Sequence, residues 1–328
     1  MAPVVPAEHG WPPWSSLRRT GELGPSARVS LGSEHGGRTE EERCLETPCE
    51  ILERVGAASA TLPPGMHATE VIDAQLDRAA DLVATTGRVV VFTGAGISTE
   101  SGIPDFRSPT GLWARYDPDD FSFPSFMRSA EARRRYWAVG RELYAAIRAA
   151  EPNAAHRAIV TLERLGLLDC VITQNVDDLH QRAGTDREKV IELHGNATRV
   201  RCLSCDGRYP RDDIQARLVA GEAVPACAAC GGILKPLTVL FGEPMPEAVV
   251  RRAEERSRAA GCFLVVGSSL GVYPAAYMPS YAKDAGARLV VVNLTPTRLD
   301  HLADIVLAGP AASILAGLVE RVETRTGR

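Results

Sequence analysis

The chain has 328 residues, 45% hydrophobic and 24% charged, which is enough for one large α/β domain and a smaller module. A net charge of −4 provides no basic surface, so direct nucleic-acid binding is not expected. Apolar runs such as Val89–Phe92 are too short to cross a bilayer and no secretory signal is visible, so we expect a soluble, cytoplasmic protein without membrane contact.

Residues 1–65 differ in composition from the rest of the chain. They are rich in Pro, Gly, Ser and charge without a sustained period, which predicts a mostly disordered extension. Within it, Thr47–Val55 could form a short helix, and Cys44 and Cys49 are either a redox pair or, as we favour, two free thiols. Translation could also start at Met66, which the sequence leaves open.

A regular helical pattern begins near Thr69 and ends at Gly87. The apolar strand that follows leads into Gly94 and Gly96, which would let backbone amides approach a phosphate. The ordinary dehydrogenase fingerprint is incomplete, because Thr99 stands where its third glycine belongs. We therefore predict a dinucleotide site that continues into the polar loop Gly102–Arg107.

The stretch after Arg107 differs in composition from the Ala-rich helices around it. Its first part, Gly111–Tyr116 and Phe121–Met127, is aromatic and interrupted by proline. These rings could pack a small subdomain or line an apolar tunnel, and the sequence leaves both interpretations open. Asn153 then caps the next helix.

Polar residues follow the next two predicted strands. Asp169–Thr173 is followed by Gln174, Asn175 and Asp177, which could bind a ligand or could form a turn and cap the next helix. Val190–Leu193 is followed by His194 and Gly195. A lone histidine is often structural, but this one is predicted at the same sheet edge, where ligands gather.

Two Cys-x-x-Cys pairs follow, Cys202 with Cys205 and Cys227 with Cys230. Four thiolates at this spacing suit a closed, tetrahedral, structural Zn²⁺ site rather than a catalytic one. The sequence then returns to α/β alternation, with predicted strands Leu237–Phe241, Cys262–Val266 and Arg288–Val292. The small loop Gly267-Ser268-Ser269 and Asn293 end the last two, in positions suited to phosphate or ribose.

Taken together and in this order, these motifs resemble the sirtuin family over residues 66–324. The resemblance implies an α/β fold, a Rossmann-like parallel sheet with an inserted small zinc-ribbon and helical subdomain. The implied catalytic domain spans 66–328, with Rossmann-like parts at 66–107, 151–195 and 236–325, the helical insertion at about 108–150 and the zinc ribbon at about 196–235. The implied activity is NAD-dependent removal of acyl groups from protein lysine, in which NAD is consumed.

The resemblance also implies residue roles. His194 would be the general base, and Asn175 and Asp177 would position nicotinamide and ribose. The other implied NAD contacts are Gly94, Ala95, Gly96 and Ser98 at the pyrophosphate, Asp105, Phe106 and Arg107 over the ribose and nicotinamide, Gln174, and, at the adenosine half, Gly267, Ser268, Ser269, Asn293, Leu294 and Ala311. A substrate peptide would pair with strand edges at 239–242 and 271–273.

Relatives that remove acidic acyl groups carry a Tyr and an Arg three residues apart, and the matching positions here are Trp137 and Gly140. Because neither residue type stands at these positions, we expect a preference for acetyl or longer neutral chains. Tyr136 and Arg141 lie one place away from the matching positions. Two other functions compete with the deacylase: protein mono-ADP-ribosylation at the same NAD site, and a non-enzymatic zinc-ribbon binding module. Hydride transfer is disfavoured because the dehydrogenase fingerprint is incomplete.

Overall fold

The computed structural model describes residues 68–327. The predicted extension 1–65, with Thr47–Val55, Cys44, Cys49 and Met66, lies outside the described residues.

The described chain alternates strands with helices. In chain order the strands are β1 (Val89–Thr93), β2 (Leu168–Thr173), β3 (Val190–Glu192), β4 (Gly195–Cys202), β5 (Arg208–Pro210), β6 (Leu234–Thr238), β7 (Cys262–Val266), β8 (Arg288–Asn293) and β9 (Ile305–Ala308). The α-helices are α1 (Ala68–Thr86), α2 (Phe123–Arg128), α3 (Ala130–Ala149), α4 (Ala154–Arg164), α5 (Leu179–Ala183), α6 (Arg211–Val219), α7 (Glu247–Arg258), α8 (Met278–Asp284) and α9 (Ala311–Thr326). None of the described helices is long and apolar enough to cross a membrane.

Six strands form a parallel sheet in the order β3-β2-β1-β7-β8-β9. On one side of β1 lie β2 and β3, and on the other side lie β7, β8 and β9. The strand order therefore reverses between β1 and β7, which is the topological switch point. In open parallel sheets, ligands bind outside the carboxyl ends of the strands at this switch. The fold therefore places the glycine loop that follows β1 at the expected position.

The central strand β1 is buried on both faces, which explains its unbroken apolar sequence. Val89 and Val91 face the core that contains α1, α4 and α9, whereas Val90 and Phe92 face the core that contains α7 and α8. The two-residue period of a strand thus divides β1 between two hydrophobic layers. The predicted α/β class with a Rossmann-like sheet is confirmed.

A smaller unit has its own antiparallel sheet, in the order β5-β4-β6. Its core joins Val200 and Leu234 of this sheet to Phe126 and Trp137 of the helical insertion. The two insertions therefore pack on each other.

The predicted bounds of the strand Leu237–Phe241 are wrong, each lying three residues too late. The strand runs from Leu234 to Thr238 and pairs with β4 in the small antiparallel sheet. Its first half contains Lys235 and Pro236, residue types that argue against a strand interior. The charge of Lys235 is neutralised by Glu243 in the folded chain, which the local sequence does not reveal.

Candidate active site

The parallel sheet brings the predicted polar groups to one edge. Thr93 at the end of β1 pairs in register with Thr173 at the end of β2, and with Val266 at the end of β7. Asn175, Asp177 and Ser268 follow these strand ends directly. Three distant parts of the sequence therefore meet at the switch point.

The glycines at this edge permit a close approach of two loops. A Cβ on Gly94 would lie 2.8 Å from the Gly267 carbonyl oxygen, and one on Gly96 would lie 2.8 Å from the Gly267 Cα. Gly267 itself has φ of +62°, a left-handed conformation that favours glycine. The loops after β1 and β7 could not make this contact with side chains at these positions.

The backbone amides of the β1 loop are mostly used within the protein. Gly94 N donates to Val266 O at 3.1 Å, and Gly96 N donates to Gly267 O at 2.8 Å. The Ala95 amide has no acceptor among the described residues. Of these three amides, that of Ala95 is the one available to a phosphate oxygen, and the phosphate contacts predicted for Gly94 and Gly96 stay a prediction.

Asn175, Ser98 and Asp177 form a hydrogen-bonded group. The Asn175 Nδ2 donates to Gly94 O and to Ser98 Oγ, both at 3.1 Å. Ser98 Oγ donates to Asp177 Oδ2 at 2.7 Å, and the other Asp177 oxygen accepts from Leu179 N at 3.0 Å. Asp177 therefore caps the turn before α5, as one interpretation predicted, and also joins the polar group at the sheet edge, while its role in binding a ligand stays a prediction.

Gln174 connects this group to the β7 loop. Its side-chain amide donates to Ser268 Oγ at 2.8 Å, and its backbone amide donates to Thr93 O at 3.0 Å. Ser268 Oγ also accepts from Leu270 N at 3.2 Å. The contacts hold the β1, β2 and β7 loops against one another.

His194 lies at the end of β3, half-buried, with its ring oriented by the main chain. Its Nδ1 is 2.9 Å from Gln174 O, an atom that can only accept, so Nδ1 carries the hydrogen. The neutral ring then has a free lone pair on Nε2. Burial lowers the pKa of His194 below its ordinary 6.5, and the bond to Gln174 O only partly opposes this. The imidazole is suited to accept a proton at neutral pH.

The loop predicted to close over the nucleotide is held by aromatic packing. Trp113 contacts Phe106, Phe121 and Phe241, with ring centroids 5.3, 5.4 and 5.8 Å apart. These contacts agree with the packing interpretation of the aromatic segment, while the tunnel stays a prediction. Phe106 remains 39% exposed, so it can still contact a ligand.

The flanking residues Asp105 and Arg107 make separate contacts. Asp105 Oδ1 accepts from Ser108 N at 3.1 Å, and Arg107 Nη1 lies 3.4 Å from Ser269 Oγ of the β7 loop. The second contact brings the predicted ribose-side and adenosine-side loops together.

The predicted adenosine contacts lie along the β8 end of the edge. Asn293 Nδ2 donates to Thr295 O at 2.6 Å, and Leu294 is 71% exposed. Asn293 O accepts from Gly309 N at 3.1 Å, which brings the start of α9 and Ala311 beside it. A contact absent from our sequence analysis is Glu100, whose carboxylate accepts from Ala312 N at 2.8 Å in the first turn of α9.

The four predicted metal ligands meet in the small unit. Their Sγ atoms all lie within 4.8 Å of one another, with 3.5 Å from Cys202 to Cys230 and 3.7 Å from Cys205 to Cys227. A tetrahedron of zinc–sulfur bonds has edges of about 3.8 Å, so the cluster fits Zn²⁺. The Tyr209 hydroxyl lies 3.0 Å from Cys227 Sγ and can donate to the thiolate.

The small unit touches the candidate base through the main chain. Val239 N, just after β6, donates to His194 O at 2.8 Å. Gly195 has φ of +74° and pairs with Thr238, and a Cβ there would lie 1.7 Å from Leu237 O. Only glycine therefore fits directly after His194.

Comparison with known proteins assigns the chain to a family. Residues 94–274 match the model of the Sir2 family. An NAD-dependent protein deacylase 2 of Archaeoglobus fulgidus is 45% identical over 76% of this chain and 96% of its own length. An NAD-dependent protein deacetylase 2 of Streptomyces coelicolor is 48% identical over 70% and 96%. The chain belongs to the Sir2 family.

Solved Sir2 structures agree with this assignment. One Sir2 enzyme has a TM-score of 0.70 and 44% identity, over 77% of this chain and 99% of the other. A Sir2 variant with a deacetylated p53 peptide and 3′-O-acetyl-ADP-ribose has a TM-score of 0.70 and 36% identity, over 77% and 98%. A third, bound to a myristoylated histone peptide, has a TM-score of 0.64 and 38% identity, over 78% and 99%. The family predicted from the sequence is confirmed.

In this Sir2 family member, the two positions compared for acyl preference are Trp137, inside the small core, and the half-buried Gly140. Trp137 is fully buried, and the Arg211 guanidinium stacks over its ring at 5.1 Å and donates to Gly140 O at 3.1 Å. The Tyr136 hydroxyl lies 3.4 Å from Thr238 Oγ1. No cationic side chain comes from position 140 itself, which is consistent with the leaning towards neutral acyl groups.

One of the two predicted peptide-pairing edges of this Sir2 family member is partly occupied. Phe241 N donates to Phe121 O at 3.0 Å, and Phe241 O accepts from Phe123 N at 2.9 Å. With Val239 N bonded to His194 O, little of the 239–242 edge remains for a peptide.

Proposed function

We propose that the protein is an NAD-dependent protein lysine deacylase that transfers the acyl group to ADP-ribose and releases nicotinamide. The observation that carries this proposal is the orientation of His194, whose Nδ1 is bonded to Gln174 O so that Nε2 is left to accept a proton. The names of the relatives support the reaction class. The product pair held by the matching Sir2 variant also supports it.

Bound NAD would supply the glycosidic bond that breaks to release nicotinamide and the C1′ carbon that the acyl oxygen then takes. The Ala95 amide would donate to the pyrophosphate, with Ser98 beside it. Asn175 and Asp177 would set the position of the ribose and nicotinamide, which is an orientation effect. Phe106, packed against Trp113, would exclude water from the reacting carbon.

His194 would act as general base. Its free Nε2 would take a proton from a ribose hydroxyl, so that this oxygen can attack the acyl-derived carbon. Near pH 7 the ring is neutral, since burial lowers its pKa. The Zn²⁺ site has four protein ligands and no open position, so its role would be structural.

We further propose acetyl-lysine as the preferred substrate and a cytoplasmic location. The first rests on position 140, where glycine supplies no cationic side chain, and on Arg211, whose guanidinium is held by the Trp137 ring and Gly140 O. The second rests on the four-thiolate cluster, which requires reduced cysteines. None of the described cysteines forms a disulfide.

The test is a product analysis. The protein is incubated with NAD and a panel of acetyl-, longer acyl- and succinyl-lysine peptides, and the products are measured by mass spectrometry. We expect nicotinamide, deacylated peptide and O-acyl-ADP-ribose in equal amounts from the wild type, and loss of deacylated peptide and O-acyl-ADP-ribose in His194→Ala. His301→Ala, at an exposed histidine outside the site, is the matched control. Nicotinamide release with ADP-ribosylated protein and no deacylation would instead support the transferase.

A further inference from the structure

Four buried polar side chains form a row behind the strand ends of the candidate site. Thr93 Oγ1 donates to Thr173 Oγ1 at 2.8 Å. His180 Nε2 lies 3.0 Å from Thr93 Oγ1, and the ring of His156 lies 5.0 Å from the ring of His180. Each of the four is buried. We call Thr173, Thr93, His180 and His156 the threonine–histidine row.

The bonds within the row fix where the hydrogens are. A threonine hydroxyl has one hydrogen, and that of Thr93 goes to Thr173, so His180 Nε2 must donate to Thr93. Asn153 N donates to His156 Nδ1 at 3.3 Å in the capping box of α4, so Nδ1 of His156 carries no hydrogen. Both rings therefore carry a hydrogen on Nε2, and His156 is neutral.

The remaining two ring nitrogens are complementary. His156 Nε2, a donor, and His180 Nδ1, an acceptor, are both buried without a hydrogen-bond partner in the described structure. Unpaired buried polar atoms destabilise a fold and are rare in native proteins. A donor and an acceptor on adjacent rings can bond through a small rotation or through one bridging water. The hydrogens on His156 Nε2, His180 Nε2 and Thr93 Oγ1 then all point towards Thr173.

The row ends at a candidate catalytic residue. Thr173 Oγ1 accepts the backbone amide of Asn175 at 3.0 Å. The Asn175 side chain is held in turn by Gly94 O and Ser98 Oγ. The orientation of Asn175 thus depends on the Thr173 hydroxyl keeping a lone pair turned towards its amide.

We propose that His180 is a positioning residue for Asn175. In its neutral, Nε2-protonated form, His180 donates to Thr93 and so holds the Thr93 and Thr173 hydroxyls in the orientation that leaves Thr173 Oγ1 free to accept the Asn175 amide. His156 holds the His180 ring. The proposal uses the proposed deacylase function for its kinetic test, whereas its structural test is independent of any activity.

The structural test is nitrogen-15 NMR of the full chain with labelled histidine at pH 7.5. Two-bond proton–nitrogen correlations distinguish the two neutral tautomers, and His156→Gln and His180→Gln identify the signals. We expect the Nε2-protonated tautomer for both rings. An Nδ1-protonated or doubly protonated His180 would overturn the proposal, even if the protein were not a deacylase.

The kinetic test compares two amides that replace the imidazole. The nitrogen of Gln reaches the place of Nε2, whereas that of Asn reaches only the place of Nδ1. We expect His180→Gln to keep kcat within about threefold, and His180→Asn and Thr173→Val to lower kcat by about tenfold or more, with the peptide KM unchanged. His180→Gln and His180→Asn should lower Tm alike, since each removes the same ring.

Two outcomes would contradict the positioning role. Equal losses of kcat in His180→Gln and His180→Asn would mean that the ring serves only as packing. An unchanged kcat in Thr173→Val would mean that the Asn175 amide does not need the hydroxyl. If wild-type protein shows no deacylation, the proposed function fails. The NMR result then decides by itself whether the hydrogens in the threonine–histidine row are placed as proposed.

Discussion

The Ser98 hydroxyl donates a 2.7 Å hydrogen bond to the Asp177 carboxylate, although the two residues are 79 positions apart in sequence. Asp177 is 5% exposed and Ser98 is 1% exposed, so water cannot replace this bond readily. The contact fixes the loop after β1 to the loop after β2, and Asn175 bonds to the same hydroxyl. One serine therefore connects the groups that we propose to contact the phosphate and the ribose.

We expect Ser98→Ala to raise the KM for NAD and to lower kcat by about tenfold, because Asn175 and Asp177 lose their shared partner. Steady-state kinetics at saturating peptide would measure both. Thr99→Ala is the matched control, since Thr99 is an exposed neighbour whose hydroxyl donates to Gly96 O and not to the Asn175–Asp177 group. Equal effects of the two substitutions would contradict the role assigned to Ser98.

We expect the kcat/KM for NAD to fall on the acid side with a midpoint below pH 6.5. The base must be neutral, and burial lowers the pKa of His194 from 6.5, so activity is kept below pH 6.5 and is lost as pH falls through the lowered value. A pH profile of initial rates gives the midpoint. A midpoint above pH 6.5 would exclude His194 as a buried, neutral base.

Folding must be followed in the same experiment. The pKa values of His156 and His180 are lowered by burial to about 3 and about 4. The unfolded chain therefore binds protons near pH 6.5 that these rings do not bind when folded, and stability decreases as pH falls from about 6.5 towards 4. Circular dichroism at each pH separates loss of the fold from protonation of His194.

We expect one zinc per chain, and we expect Cys227→Ser to lose it together with the fold of the small unit. Elemental analysis and limited proteolysis would measure the two effects. Cys262→Ala, at a buried thiol in β7 outside the cluster, should keep the metal. A metal-free Cys227→Ser protein with full activity would refute the structural role.

We expect Lys235→Met to destabilise the protein by about 3 kcal/mol, because it leaves the Glu243 carboxylate poorly compensated. Lys235 Nζ is 2.9 Å from Glu243 Oε2, and the lysine side chain is only 1% exposed. Urea unfolding gives the free energy. The double variant Lys235→Met, Glu243→Gln should recover part of the loss, and a double variant as unstable as the sum of the singles would contradict the coupling.

The sequence predicted the features that depend on short-range pattern. The ends of β1 and β2, the start of α4 after Asn153 and the two cysteine pairs all follow from periodicity or spacing within a few residues. The strand ends then converge because parallel strands share one carboxyl edge. The family resemblance added the roles, and the boundaries of the predicted domain parts stay predictions.

Features that depend on contacts between distant residues were not predicted. Lys235 and Pro236 hide the start of β6, because the Glu243 that balances the lysine charge follows the strand. Thr93 and Thr173 end their strands as single polar residues, a weak signal that gains meaning only when β1 and β2 pair in register. Glu100 accepts a hydrogen bond from Ala312, which is 212 positions away in sequence, and the local sequence around Glu100 gives no sign of this contact.

The bond from Val239 to the carbonyl of His194 couples two parts of the molecule that perform different tasks. Strand β6, which ends just before Val239, pairs with β4, the strand that carries Cys202 of the thiolate cluster. At Gly195 the two strands are too close for any side chain. On the proposed mechanism, an oxidant that removes the metal from the thiolates would therefore act on the main chain of the base, without entering the cleft.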